Sequence, residues 1–215
     1  MNDTSQAATR QAQPCQVVAV LAGGQGRRMG GPKAGLELDG RSLVAHAVDR
    51  VRNAGRRVMV VAAAGQDLGG VDAEALTDLW PDKGPLGGLA TALSALRDEL
   101  GSGVLGLVGV DMPCFSVALL DLLAGAMGSR SAAVPLSEGR LQPLHGVYHT
   151  RLLPHLAVAL AEDRLSLVRT LESEGIDAVP EEAWRASCPL GDPFRNLNTQ
   201  EDLQVFLEER RTSHA

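Results

Sequence analysis

The segment Leu21-Ala22-Gly23-Gly24-Gln25-Gly26-Arg27-Arg28-Met29-Gly30-Gly31-Pro32-Lys33 joins closely spaced glycines to three positive charges. Glycines let a backbone turn tightly and bring N–H groups up to an anion, and the basic side chains add charge, so the chemistry indicated is polyphosphate binding. The plain alternative is a surface loop with incidental arginines. Asp111 directly follows the apolar run Val104 to Val110, whose residues give it no reason to be buried. A carboxylate there suits Mg2+, which neutralises phosphate charge and activates a leaving diphosphate; a turn aspartate ahead of Pro113 is the other reading. A third segment starts at Asp78 and runs through Lys83-Gly84-Pro85-Leu86-Gly87-Gly88 into a helix, whose first amides either meet a further anion or only pack a turn. Asn196-Leu197-Asn198-Thr199 reads locally as a helix cap. Lys33 and Lys83 are the only lysines among 20 basic residues, and both sit in loops beside glycine and proline. A GC-rich genome explains the scarcity of lysine but not these two positions.

Other chemistries fail on spacing. In the first loop Pro32 and Ala34 break the G-x-x-x-x-G-K-[ST] pattern, and Met29 stands where G-x-G-x-x-G needs its last glycine. The next strand ends in Ala62-Ala63-Ala64, without the acid that would hold the ribose of NAD, so a dehydrogenase is disfavoured. His145 and His149 are four apart in a strand, which is no helical metal pair, and each reads as a structural histidine. No G-x-S-x-G elbow is present.

The elements that must position these groups alternate. Gln16–Leu21, Arg57–Ala62 and Val104–Val110 are apolar, β-branched runs of the buried-strand type. Between and after them lie helices capped by Ser42, starting near Leu86 and running to Leu100, and capped by Ser116. Strands apolar on both faces alternating with helices predict an α/β domain with a parallel sheet covered on both sides. Further on, Ala132–Leu136 and Leu144–Tyr148 predict strands around a turn at Ser137–Arg140, then helices over about 151–162 and 165–174. A last helix follows Asn198, with Thr199-Gln-Glu-Asp202 approximating a capping box. Residues 1–14 are expected to form a disordered tail and 15–211 a single domain. Net charge of −6 and 3% aromatics leave no basic footprint or stacking platform for nucleic acid. No apolar run approaches a membrane span, the N-terminus lacks a secretory h-region, and three dispersed cysteines suit a reducing cytoplasm.

Taken in order, these segments resemble the molybdenum cofactor guanylyltransferases, nucleotidyltransferases without a Walker motif. The family signature L-A-G-G-x-x-x-R-M-G-x-x-K appears as Leu21 through Gly30 and Lys33, and the likeness continues with Asp78, Gly84–Leu89, Asp111-Met112-Pro113 and Asn196–Leu203. The resemblance implies a three-layer Rossmann-like nucleotidyltransferase fold with a mostly parallel central sheet. It also implies the reaction: GTP and molybdenum-loaded molybdopterin give the guanine dinucleotide form of the cofactor and diphosphate. By position it puts Leu21, Ala22, Gly23 and Gly24 at the nucleotide and Arg28 and Lys33 on its phosphates. Asp78 falls near ribose or base, and Asp111 becomes the Mg2+ ligand. Lys83, Gly84, Pro85, Leu86, Asn196 and Asn198 fall near the second substrate or the metal. Cofactor-delivery chaperones or molybdoenzyme apoproteins are the implied protein partners. Two departures stand out: Ala62 where the family often carries asparagine, and Gly87 where alanine is usual, the latter read as harmless. Rival readings are a cytidylyltransferase for the same pterin, against which Gly23-Gly24 argues, a sugar-phosphate nucleotidyltransferase, and a non-enzymatic cofactor carrier or chaperone.

Overall fold

The computed structural model describes residues 14–23 and 37–212. Residues 1–13 of the expected tail at 1–14 and the loop positions Gly24, Arg27, Arg28 and Lys33 lie outside the described residues.

Val17–Leu21 (β1) is buried throughout, as an uninterrupted apolar run demands of a strand covered on both faces. A two-residue hairpin, Glu37–Leu38 (β2) and Arg41–Ser42 (β3), turns on Asp39 and Gly40, both at positive φ. It delivers Ser42 to cap Leu43–Asn53 (α1), its hydroxyl accepting from Ala45 N–H. Arg57–Ala62 (β4) and Glu74–Thr77 (β5) follow, then Gly84–Leu100 (α2) and Val104–Gly109 (β6). Ser116 caps Val117–Ala126 (α3) through Leu119 N–H, as its place before the leucine run predicts. Ala132–Ser137 (β7) and Arg140–Leu141 (β8) turn on Glu138 and Gly139, both at positive φ as a two-residue hairpin requires. His145–His149 (β9) precedes a 3-10 turn, Leu153–Ala161 (α4) and Leu167–Glu174 (α5). Asp177–Val179 (β10), Glu181–Trp184 (α6) and Gln200–Thr212 (α7) complete the described chain.

The sheet order is β10-β7-β9-β6-β1-β4-β5, with β8 paired to β7. Neighbours from β6 to β5 are parallel, as are β10 and β7, whereas β9 runs antiparallel between β6 and β7. The fold is the expected mostly parallel, three-layer Rossmann-like nucleotidyltransferase arrangement. Alternate residues of β1 divide between two cores. Val18 and Val20 face α1, α3 and α7; Ala19 and Leu21 face α2, α4 and α5. Six short elements, β2, β3, β5, β8, β10 and α6, escape the sequence reading because they are half-exposed or too short to carry a pattern.

Candidate active site

Because β1, β4, β5 and β6 are parallel, their carboxyl ends share one edge of the sheet, where ligands of open α/β folds bind. The reversed strand β9 brings its first residue to that edge, with His145 opposite Val108. The strand order departs from β1 toward β4 on one side and toward β6 on the other, so the crevice lies beside β1.

On the β6 side, Val110 N–H donates to the Leu21 carbonyl (3.1 Å), tying the root of the glycine loop to the Asp111 turn. Asp111 is only 8% exposed, against the sequence expectation. The main chain accounts for it. The Asp111 carbonyl accepts from Leu197 N–H at 2.7 Å, which draws the C-terminal segment over the turn. Its carboxylate also folds back on Gly109, where a Cβ would stand 2.6 Å from Oδ1. Behind the turn His145 is fully buried, edge-on to the rings of Phe115 and Phe194. Its Nε2 lies 3.0 Å from the Ser116 carbonyl, as an Nε2–H donor would. Burial pushes its pKa down to about 4 against the opposing pull of backbone groups at Ser116 and Pro193, so the ring is neutral at physiological pH. The histidine is structural, as its strand position suggests.

Leu197 also brings in its neighbours Asn196 and Asn198, both exposed. The segment caps α7 as its sequence suggests: Asp202 N–H donates to the Thr199 hydroxyl, and the Asp202 carboxylate accepts from the N–H groups of Asn198 and Thr199. Those bonds hold its pKa below the ordinary carboxylate value. Asn196 lines a groove of about 600 Å³ with Glu138, Gln142, Trp184 and Phe194. The β7–β8 turn forms part of its rim, because β7 runs parallel to β6 and ends at the same edge.

On the β4 side, Ala22 and Gly23 both donate to the Val61 carbonyl (2.9 and 3.2 Å), and Asp78 N–H donates to that of Ala62. Asp78 Oδ1 accepts from Trp80 N–H and from the Thr91 hydroxyl, at 2.9 and 3.0 Å. Thr91 is buried in α2, so the carboxylate is fastened to the helix. The apolar spacing of Leu89, Leu93 and Leu96 conceals this; the readable signal was a pair of hydroxyls, Thr91 and Ser94, on an otherwise apolar stretch. The start of α2 is crowded. A Cβ on Gly88 would meet the Leu21 side chain at 2.8 Å, and one on Gly87 the Trp80 carbonyl at 2.7 Å. An alanine at 87 would need this chain to shift: its methyl would press on backbone of the loop that carries Asp78. Lys83 turns outward and pairs with Asp163 at 2.7 Å.

Leu21, Ala22, Gly23, Asp78 and Asp111 thus share one edge, with Asn196 and Asn198 beside them and Lys83 engaged at the surface. Among the described residues no group of three or more His, Cys, Asp and Glu forms a metal cage. The donor set fits instead an ion held by one protein carboxylate, Asp111, and completed by phosphate oxygens and water, as Mg2+ prefers. Among the described residues no helix is long and apolar enough to cross a membrane. All three cysteines are free thiols.

Residues 18–178 match the model of the MobA-like NTP transferase domain. A Rhizobium johnstonii protein named molybdenum cofactor guanylyltransferase is 36% identical over 86% of this chain and 88% of its own length. A Thermococcus kodakarensis protein named probable molybdenum cofactor guanylyltransferase is 32% identical over 86% of this chain and 91% of its own. The crystal structure of molybdopterin-guanine dinucleotide biosynthesis protein A from Archaeoglobus fulgidus superposes with a TM-score of 0.76 at 23% identity, covering 91% of this chain and 99% of that one. The order of segments along the strand ends, the extent of the domain match and the relatives that share it place the chain in the MobA-like NTP transferase family, as an enzyme of the nucleotidyltransferase type.

Proposed function

We propose that the enzyme transfers GMP from GTP to molybdenum-loaded molybdopterin and releases diphosphate. The observation that carries this reading is the bond between Leu21 and Val110, which sets the root of the glycine segment, Leu21 to Gly23, at the same strand ends as a buried Asp111. In the proposed reaction an oxygen of the pterin's terminal phosphate attacks the α-phosphorus of GTP. The bond from the α-phosphorus to the bridging oxygen breaks, and diphosphate leaves. Such a transfer needs alignment and charge neutralisation and no covalent nucleophile.

In this reading Leu21, Ala22, Gly23 and Gly24 hold the nucleotide through backbone, Arg28 and Lys33 hold its phosphates, and Asp78 orders the wall beside the ribose. Asp111 would hold Mg2+, whose chemistry when bound is to offset phosphate charge. The second substrate approaches past Lys83 and the opening of α2 at Gly84, Pro85 and Leu86, with Asn196 and Asn198 opposite. The groove lined by Asn196 and Trp184 has the volume of a small-molecule site. The relatives named molybdenum cofactor guanylyltransferase support this substrate pair. The test is diphosphate release with each of the four NTPs and the molybdenum-loaded pterin. GTP is expected to support release far better than the other three; equal use of CTP would sink the guanylyl assignment.

A further inference from the structure

Thr91 lies outside every segment that carries the family likeness, and it is the residue of α2 on which the Asp78 loop closes. Its side chain is buried, at 3% exposure, in a stretch whose neighbours Ala90 and Ala92 are buried too. A hydroxyl so placed is costly unless it is bonded. Oγ1 accepts from Leu79 N–H at 3.0 Å and lies 3.0 Å from both Asp78 Oδ1 and the Gly87 carbonyl. A hydroxyl has a single proton to give to those two acceptors. The contact with Gly87 is the ordinary one between a helical threonine and the carbonyl four residues back, whereas the carboxylate is charged and is the stronger acceptor. The proton therefore goes to Asp78. Thr91 thus clasps two consecutive residues of the loop, accepting from Leu79 and donating to Asp78.

The clasp treats the two carboxylate oxygens differently. Trp80 N–H also donates to Oδ1, at 2.9 Å, so both bonds fall on one oxygen. Among the described residues Oδ2 has no hydrogen-bond partner, and Asp78 is only half-buried. Asp78 N–H donates to the Ala62 carbonyl at 2.8 Å, and Ala22 and Gly23 donate to the adjacent Val61 carbonyl. The carboxylate therefore stands at the same strand ends as the root of the glycine segment. A negative charge there repels phosphates. The part of a nucleotide that it can face is the neutral, donor-bearing part, and the donors that every ribonucleotide shares are the ribose hydroxyls.

We infer that Thr91 is a positioning residue for nucleotide binding: by holding Oδ1 of Asp78 it keeps Oδ2 presented to the ribose hydroxyls. The inference rests on the placement of Asp78 beside the ribose in the reading above and deepens it. Without the Thr91 hydroxyl only Trp80 N–H holds the carboxylate, which is then free to rotate. Ordering it becomes a cost of binding the nucleotide.

The experiment is equilibrium binding of GTP, 2′,3′-dideoxy-GTP and inorganic triphosphate to the wild type, Thr91→Val, Thr91→Ser and Asp78→Asn, with thermal midpoints to check folding. Valine keeps the shape of threonine without the hydroxyl, and serine keeps the hydroxyl. Asparagine keeps an oxygen for Thr91 and Trp80 but puts an NH2 group in place of Oδ2. The wild type should bind GTP about tenfold more tightly than the dideoxy nucleotide. Thr91→Val and Asp78→Asn should each bring GTP down to the dideoxy level while leaving dideoxy-GTP and triphosphate unchanged. Thr91→Ser should keep most of the wild-type preference. A wild-type preference in Thr91→Val, an equal loss of all three ligands, or a serine variant as weak as the valine one would overturn the inference and leave the guanylyl reading standing. So would a wild type that binds GTP and dideoxy-GTP alike. Should Thr91→Val not fold, Asp78→Asn carries the test on a chain that keeps both loop bonds, and an undiminished preference there would overturn the inference. A wild type that binds GTP no better than triphosphate would overturn the nucleotide reading and this inference with it.

Discussion

The two flanks of β1 hold their aspartates by opposite means. Asp111, beside β6, is gripped through its main chain, the carbonyl bound by Leu197 and the next strand over anchored by Val110. Asp78, beyond β4, is gripped through its side chain, with Oδ1 shared by Trp80 and Thr91. One aspartate is thus fixed by its carbonyl and the other by its carboxylate. In the proposed reaction the flank beside β6 handles the phosphates, and the flank beside β4 shapes the wall of the nucleotide site.

The largest effect that separates them is Asp111→Asn. It removes charge at nearly constant volume, and lost transition-state electrostatics of this kind costs on the order of 10²–10³ in rate. Transfer at saturating Mg2+ should fall by that factor with the thermal midpoint unchanged; near wild-type transfer would take the metal role from this flank. Acid tests the same flank from behind. His145 is held neutral with its pKa lowered from 6.5 to about 4, so as pH falls below 6.5 the unfolded chain binds a proton that the folded ring refuses. Stability from this group is complete above pH 6.5 and is lost progressively down to about 4, amounting to about 3 kcal/mol. Denaturant titrations at neutral and acid pH should show that loss reduced in His145→Gln; identical acid losses would remove the ring from the account.

On the other flank the effects are smaller. Gly87→Ala should destabilise by roughly 1–3 kcal/mol because its methyl meets the Trp80 carbonyl, outweighing the better helix propensity of alanine. GTP affinity should fall with it, since the Asp78 loop must move. A variant as stable as the wild type by calorimetry would show that the loop yields freely. Least of all should come from Lys83→Ala. Its partner Asp163 is 72% exposed, and such surface pairs contribute under about 1 kcal/mol. GTP titration should rank it well behind Lys33→Ala, and equal defects would reverse that ranking.

The flanks also differ in how far the sequence disclosed them. Uninterrupted apolar runs mark β1, β4 and β6, so the strand ends and the place of Asp111 follow from periodicity and position. Ser42, Ser116 and Thr199 are legible as caps because the chemistry of a cap is local. Burial of Asp111 is not local: it depends on Leu197, and no spacing rule joins positions so far apart in the chain. The same holds for Thr91, whose hydroxyl acts on a carboxylate brought near only by the sheet. Crowding at Gly87 was equally invisible, since a glycine in a sequence does not say which carbonyl it faces.

The bond from Leu197 to the Asp111 carbonyl gives the site a place in the order of synthesis. A chain made from its N-terminus folds its earlier parts first. Every strand of the sheet, β10 included, leaves the ribosome ahead of Leu197. A nascent chain has therefore made every described strand of the sheet before the Asp111 turn can meet its backbone partner, and the joining of that turn to its covering segment is a step separate in time from the synthesis of the sheet.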